Sequence, residues 1–333
     1  MRAHYTLILA IVCGAFSVGA QNKTGYTKMF RVYEDNDALN VDFKIKRSDQ
    51  AYTAGTQLSM FYQKERRSRF FLDRWMPAAG DSSINTFGWS VMQMIFTPAD
   101  LRRKTPVKND YSYSAGLFAT HSLHSANPVK KYGFQTELMM GVMGPPALGK
   151  QAQTLIHDVI HVQRPMGWAT QLKTDVLLNL NFTAEKQLAS HKNTLEWIGG
   201  VEYFGGTALN GGSIYTLIRF GRMNPYFNGF ISQYTESSKN GWQFYGILRP
   251  IVELTLTNAL LEGGMFSDNS YYSYEGVKRP KGPDNKKLIG MLDYGVVLAR
   301  GNVSVSFTQR TMSPMLKGRK GHMVGNLSLY LAW

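Results

Sequence analysis

Three polar side chains recur every fourth residue in one stretch of the sequence: Gln153, His157 and His161. In a helix this spacing places all three on one face. The Gly144-Pro145-Pro146 break ahead of them suits a helix start. Because nearly all the rest of the sequence indicates β-strands, a lone helix that carries these polar side chains is a candidate lid or site. A second, apolar face follows from the spacing of Leu155, Val159 and Val162.

A zinc site is the first alternative for this helix. His157 and His161 have the spacing of a zinc protease helix, but Asp158 stands where that chemistry needs a glutamate. No third ligand is evident. The ordinary interpretation is a surface helix with two unrelated histidines, and we prefer it for His161.

Hard oxygen donors form a second candidate site in the run Glu34-Asp35-Asn36-Asp37. Four such side chains in a row can hold Ca²⁺, although an acidic turn is the commoner meaning. Thr53, taken singly, is an ordinary strand residue. The sequence contains no Gly-x-Ser-x-Gly nucleophile elbow and no glycine-rich phosphate loop.

The elements that must position these residues are strands. In the segment 172–182 Leu172, Val176 and Leu180 share one face, whereas Lys173 and Asp175 share the other. A soluble sandwich would alternate in the same way. Amphipathic strands of about ten residues after a signal peptide, with a final aromatic residue, favour an outer-membrane barrel. We predict twelve strands near 28–36, 52–62, 86–97, 111–123, 133–143, 168–182, 192–203, 213–222, 241–254, 287–299, 302–311 and 322–333.

The predicted fold is thus a twelve-stranded antiparallel transmembrane β-barrel with a short helix in an outward loop. An even strand number puts both ends of the barrel chain on the periplasmic side. Strand parity with Arg31 and Tyr33 then turns Asp37 toward the lumen. Two long connections, near 63–85 and 223–240, fall on the inner side, where short turns are usual, and this raises the alternative of a miscounted strand.

The first twenty residues predict a cleaved signal peptide. Arg2 and His4 precede an apolar run, and Val18-Gly19-Ala20 is a small-residue cleavage site. Residues 21–333 then form a single barrel domain. Cys13, the only cysteine, lies within the signal; lipidation there is disfavoured because the bulky Val12 precedes it.

Basic residues give the chain a formal charge of +14, which predicts an anionic partner. Clusters of them fall in predicted outward loops, which favours the phosphorylated glycolipid of an outer leaflet over nucleic acid; Lys64–Arg69 is an inward exception. The outward basic residues are Arg102, Arg103, Lys104, Lys108, Lys278, Arg279, Lys281, Lys286, Lys287, Lys317, Arg319 and Lys320.

Taken together, these motifs resemble a known family, the LpxR outer-membrane lipid A 3′-O-deacylases. The resemblance runs in motifs from Asn36 to Gln171 and in strand layout to Trp333. The matching pieces, in order, are Asn36-Asp37, Tyr52-Thr53-Ala54-Gly55, Thr97-Pro98, Asp110, Gly144-Pro145, Gln153, His157, Trp168 and Gln171.

The resemblance implies a twelve-stranded barrel with a Ca²⁺-dependent site at the outer rim, between the wall and a loop helix. It implies that His157 is the catalytic histidine and that Arg103 and Lys104 lie near the substrate. It also implies release of the 3′-linked acyloxyacyl group of lipid A by ester hydrolysis. The other site residues that it implies are Asn36, Asp37 and Thr53.

A mechanism follows from these assignments. Neutral His157 takes a proton from water, Ca²⁺ near Asp37 polarises the ester carbonyl, and Gln153 orients the imidazole or the water. The protein is expected to act as a monomer on lipopolysaccharide in the membrane. The alternatives are a barrel phospholipase with a serine beside His157, and a non-enzymatic porin or surface-binding barrel.

Three departures from the family pattern concern substrate preference more than chemistry. Pro165 replaces a tyrosine found eight residues after the histidine in a characterised member. Asp35 adds an acid before Asn36-Asp37, and Tyr62–Gly88 is longer than expected.

Overall fold

A closed antiparallel barrel dominates the computed structural model. The structure describes residues 25–41, 51–64, 68, 70–107, 110–236, 241–267 and 284–333. Within these residues each strand pairs with its neighbours in sequence, and β1 pairs with β12 to close the sheet. The twelve strands are β1 Lys28–Asn36, β2 Ala51–Gln63, β3 Ile84–Thr97, β4 Ser114–Asn127, β5 Tyr132–Met143, β6 Asp175–His191, β7 Leu195–Gly206, β8 Leu209–Arg222, β9 Trp242–Asn258, β10 Leu288–Arg300, β11 Val303–Met312 and β12 His322–Ala332.

Among the described residues three α-helices lie in the connections: α1 Phe71–Trp75, α2 Gly149–Val159 and α3 Ala259–Glu262. Short 3₁₀ turns occur at Asp37–Leu39, Pro145–Ala147, Trp168–Thr170, Tyr226–Asn228 and Ile231–Tyr234. None of the helices in the described part of the chain has the length and apolar character needed to cross a bilayer. We call the end where β1 begins and β12 finishes the terminal end, and the opposite end the loop end.

The predicted barrel and the predicted helix after Gly144-Pro145 are therefore confirmed. The start predicted for the sixth strand, residue 168, is wrong, because Trp168–Thr170 is a 3₁₀ turn and β6 begins at Asp175. Trp168 belongs instead to a buried cluster outside the wall. The predicted signal peptide and the basic residues Lys108, Lys278, Arg279 and Lys281 lie outside the described residues.

Side chains alternate across the wall as the pleat requires. On the outside, apolar residues such as Val91, Leu178 and Ile214 are accessible, which suits a lipid-facing band. The lumen is polar. Asp293 accepts hydrogen bonds from Arg249 (2.7 Å) and Arg310 (2.6 Å), which flank it on β9 and β11.

Packed loops close both ends of the lumen. At the loop end, Tyr111, Leu172, Leu260 and Leu316 join a buried apolar cluster with lumen-facing strand residues. Asp110 holds this cover together, since its carboxylate accepts hydrogen bonds from the backbone of Ala99 and from Arg319.

At the terminal end the β8–β9 connection folds into the barrel. Phe227 packs on Tyr215 and Ile251, and Ile231 packs on Phe61 and its neighbours. The two long inner connections therefore do not signal a miscount, because one of them plugs the lumen and the other, from β2 to β3, lies on the outer wall.

Removal of the Asp293 carboxylate should destabilise the barrel. Asp293→Asn leaves two guanidinium groups side by side without their anion, and we expect a loss of about 2–3 kcal/mol in the free energy of unfolding. Urea unfolding in detergent micelles, followed by tryptophan fluorescence, measures it. Asp284→Asn is the control, because its ion pair with Lys317 is exposed and should matter little. Equal stability of the two variants would contradict the prediction.

Candidate active site on the outer face of the wall

One row of residues crosses the outer face of four neighbouring strands near the loop end. Asn36 pairs with Ala54, Ala54 with Ile95, and Ile95 with Ala115. Ile95 has the same parity as the accessible Val91, so this row faces away from the lumen. The candidate site is built on this patch of wall.

A β-bulge turns Thr53 toward the same side. The pairing of β2 with β3 shifts between Tyr52 and Ala54, which leaves Thr53 as the extra residue. Its hydroxyl lies 2.6 Å from that of Thr97, whose parity is that of Ile95. The strand pattern alone would have assigned Thr53 no such contact.

Helix α2 covers this patch with its polar face inward. Gln153 and His157 are only 5% and 7% exposed, whereas Leu155 and Val159 are 63% and 55% exposed. The helix starts so close to β4 that a Cβ on Gly149 would lie 2.4 Å from the Ala115 side chain. An amphipathic helix in water buries its apolar face, so this reversal indicates that the exposed face meets lipid.

His157 is held in one tautomer. Its Nδ1 lies 2.5 Å from the backbone oxygen of Gln163. A carbonyl oxygen can only accept, so Nδ1 must carry the hydrogen, and in the neutral ring Nε2 then carries the lone pair. Nε2 is therefore the atom of this ring that can act as a base.

The turn after α2 brings the Gln163 oxygen to the ring. The helix ends at Val159, and His161 adopts the left-handed region (φ 56°), which reverses the chain. Arg164 then donates two hydrogen bonds to the Asp158 carboxylate, the second of them 2.7 Å long, and this ion pair closes the turn. The hydrogen bond from Arg164 lowers the pKa of Asp158. His161 is exposed beyond the helix, in agreement with its interpretation as a surface residue.

Gln153 is oriented by a residue that sequence reasoning left without a role. The indole Nε1 of Trp168 donates to Gln153 Oε1 at 2.9 Å. The amide Nε2 therefore points the other way, and it is buried with no hydrogen-bond partner among the residues that the structure describes. A buried amide hydrogen of this kind is a ready donor for a substrate oxygen or a water.

The acidic run does not act as one cluster, because the strand splits it. Glu34 lies on the outer face and accepts from Thr56, and Asp35 lies in the lumen and accepts from Tyr33 and Tyr52. Asn36 caps the 3₁₀ turn by accepting from the Ala38 backbone.

Asp37 is buried and begins that 3₁₀ turn, so it is not part of β1, which ends at Asn36. The parity of β1, from which a lumen-facing Asp37 is predicted, therefore does not extend to it. Asp37 directly follows Asn36, and Thr53 directly precedes Ala54, the register partner of Asn36. Ca²⁺ prefers carboxylate, carbonyl and water oxygens, and the side chains of Asp37, Asn36 and Thr53 offer a carboxylate, an amide oxygen and a hydroxyl, a donor set that suits calcium better than zinc. Within the described ranges, no three His, Cys, Asp or Glu side chains are grouped to hold a metal.

Arg103 and Lys104 lie in the β3–β4 loop, which is tied to the chain that follows α2. Met166 donates its backbone hydrogen to Leu101 O at 2.8 Å, and Gly167 lies against the backbone of Arg103. Both cations are exposed. They thus stand beside the segment that also orients His157.

The fold and the site define the class of this protein. A closed barrel with an apolar outer band and a polar patch under a loop helix is an outer-membrane β-barrel with a candidate active site on its outer wall. The model of the family described as outer membrane protein LpxR matches residues 6–333, so the chain belongs to the LpxR family.

Solved structures agree with this at the level of the fold. The structure of LpxR from Salmonella typhimurium superposes with a TM-score of 0.72 at 16% sequence identity and covers 92% of this chain and 100% of that one. The β domain of the Bordetella autotransporter BrkA gives a TM-score of only 0.46 at 10% identity, covering 92% of this chain and 98% of that one, and supports no argument. No curated protein sequence matches the chain significantly.

The tautomer of His157 can be tested without any substrate. Because the Gln163 carbonyl accepts from Nδ1, we expect ¹⁵N NMR of the neutral ring to show a protonated Nδ1 and an unprotonated Nε2. The exposed His161 serves as the internal reference. A protonated Nε2 on neutral His157 would contradict the assignment.

Proposed function

We propose that this protein is an ester hydrolase that removes the 3′-linked acyloxyacyl group of lipid A. The observation that carries the proposal is the reversed helix α2, whose polar face is buried on the outer wall and whose apolar face is accessible at the same level. A substrate whose ester lies at the boundary between head group and acyl chains meets both kinds of surface there.

In this proposal His157 is the general base. Its Nε2 takes a proton from the water that attacks the ester carbonyl, and it returns that proton to the leaving sugar oxygen. The Gln163 carbonyl fixes the ring and stabilises the imidazolium that forms in between. A base of this kind typically contributes about 10²–10⁴-fold in rate. No serine nucleophile is required.

Gln153 donates to the developing oxyanion in this mechanism. Trp168 already occupies its carbonyl oxygen, so the amide can act only as a donor toward the site. This departs from the expectation that Gln153 orients the imidazole, since Nδ1 of His157 is already held by Gln163.

Asp37, which is buried at the start of the 3₁₀ turn, would hold Ca²⁺ in this proposal. When bound there, the ion would supply positive charge that polarises the ester carbonyl. Asn36 caps the turn that presents Asp37, and Thr53 directly precedes Ala54, the register partner of Asn36.

Arg103 and Lys104 would bind the anionic head group. Their exposed positions beside the segment that follows α2 support contact with a phosphate or with the inner sugars. A porin-type function is disfavoured, because packed residues close the lumen at both ends within the described structure.

Loss of the His157 imidazole or of the Asp37 carboxylate should nearly abolish deacylation while the barrel stays folded. We expect His157→Ala and Asp37→Ala each to lower the release of the 3′ acyl group by about 10²–10⁴-fold, as measured by mass spectrometry of lipid A. The control is His161→Ala, which removes an exposed imidazole just beyond the helix and should retain activity.

The calcium dependence of the activity separates the role of the base from that of the metal. Chelation should inactivate the wild type and added calcium should restore it, whereas His157→Ala should stay inactive at every calcium concentration. Heat-modifiable gel migration reports folding. Folded His157→Ala protein that still removes the 3′ group at a comparable rate rules out the mechanism, and release of phospholipid acyl chains instead indicates the phospholipase alternative.

Removal of the two loop cations should weaken substrate binding. In Arg103→Gln/Lys104→Gln we expect a raised KM for phosphorylated lipid A and a weaker salt dependence, because exposed charge contacts are screened by salt. Lys317→Gln/Lys320→Gln removes the same charge from the β11–β12 loop and should change little. Kinetics indistinguishable from wild type at all salt concentrations would exclude this role.

A further inference from the structure

The β2–β3 connection lies against the outside of the barrel near the terminal end. Asp73 of α1 places Oδ1 2.6 Å from Nε2 of His121. His121 faces outward on β4, since Ser122 next to it lines the lumen beside Phe61. The ring of His121 also packs on the outward Trp89 at 4.2 Å.

Further contacts fix the connection along this wall. Met76 packs on the outward Phe87 and Leu123. Ala79 donates its backbone hydrogen to Ser125 (2.8 Å) and accepts from Asn127 (2.7 Å). The segment therefore covers the part of β3 and β4 nearest the terminal end.

The polar side of α1 faces the wall and its aromatic side faces outward. The Asp73 carboxylate is buried and also accepts from Lys64 and Ser68. Phe71 and Trp75, four residues apart on the opposite face, are 69% and 61% exposed. Leaving two such rings in water would forfeit the free energy that removal of their apolar surface from water contributes.

The same level of the wall carries aromatic residues elsewhere around the barrel. Trp197, Phe220 and Phe244 each face outward within two residues of the terminal end of their strand. A girdle of this kind marks the membrane interface of outer-membrane barrels. On β3 and β4 the wall residues near this end, Phe87 and Leu123, are covered by the connection, so the aromatic surface there comes from α1.

We propose that Phe70, Phe71 and Trp75 complete this aromatic girdle, and that α1 is seated among the phospholipid head groups of the periplasmic leaflet, with Arg74 on a lipid phosphate. The occupant is lipid because the patch continues the lipid-facing wall: the ring of Phe70 lies 6.2 Å from that of Trp89. Arg74 is exposed beside Trp75, where a guanidinium can reach phosphate while the rings stay buried. Neither the girdle nor the phosphate contact depends on the proposed deacylase activity.

A site-specific label tests the depth of α1. In a Cys13→Ser background, Phe71→Cys carries the fluorophore NBD in the full chain reconstituted into phosphatidylcholine vesicles. We expect a blue-shifted emission, iodide quenching several-fold weaker than at the control Val129→Cys, and quenching by a lipid nitroxide placed about 5–10 Å below the head groups. Val129 lies in the β4–β5 turn at the same end and is exposed. Leu58→Cys on the lipid-facing wall is the reference for a position inside the lipid. If Phe71→Cys does not fold, Trp75→Cys replaces it in the same test.

The outcomes separate lipid from other occupants. Iodide quenching equal to that at position 129 would overturn the proposal. Protection from iodide without quenching by the lipid nitroxide, appearing only at high protein-to-lipid ratio, would overturn it in favour of a second chain. Vesicles made of equal parts phosphatidylcholine and phosphatidylglycerol should increase the blue shift of the NBD emission, and Arg74→Gln should remove this increase. An increase that is unchanged in Arg74→Gln would refute the phosphate contact.

Discussion

A barrel in lipid must satisfy every backbone hydrogen bond within its own sheet, and this requirement governs the rest of the structure. The β1–β12 pairing meets it by removing the sheet edges. Once the sheet is closed, the pleat allows only two environments for strand side chains, the lumen and the outer wall. Here the lumen is filled by charged groups in its middle and by packed loops at its ends. A site that is open to the lipid around the barrel therefore has to be built on the outer wall.

Polar groups on a lipid-facing wall need a cover, and two connections supply one. Helix α2 buries Gln153 and His157 on the wall near the loop end, and the segment that contains α1 buries Asp73 and His121 near the terminal end. Both elements turn polar residues toward the strands and apolar residues away from them. This orientation is the reverse of that in a soluble protein, and it follows from the solvent being lipid on that side.

The candidate site gains its order from contacts that fix hydrogen-bonding roles. Gln163 dictates which nitrogen of His157 carries a proton, and Trp168 dictates which end of the Gln153 amide faces the site. Neither residue needs to touch substrate for this. The turn that presents Gln163 is closed by Arg164 and Asp158 at the helix end, so short-range geometry prepares a long-range site.

Local patterns in the sequence were sufficient for the strand number, for their parity and for α2, because alternation and four-residue spacing are set by backbone geometry within a few residues. The shared face of Gln153 and His157 followed for the same reason. The splitting of Glu34 and Asp35 onto opposite faces was also within reach of strand parity. Other features depended on partners far apart in the chain: the hydrogen bond between Thr53 and Thr97, the orientation of Gln153 by Trp168, and the docking of Asp73 on His121. Only the tertiary structure decided these contacts, since a bulge or a folded-back loop is selected by the surface on which it packs and leaves no periodic signal of its own.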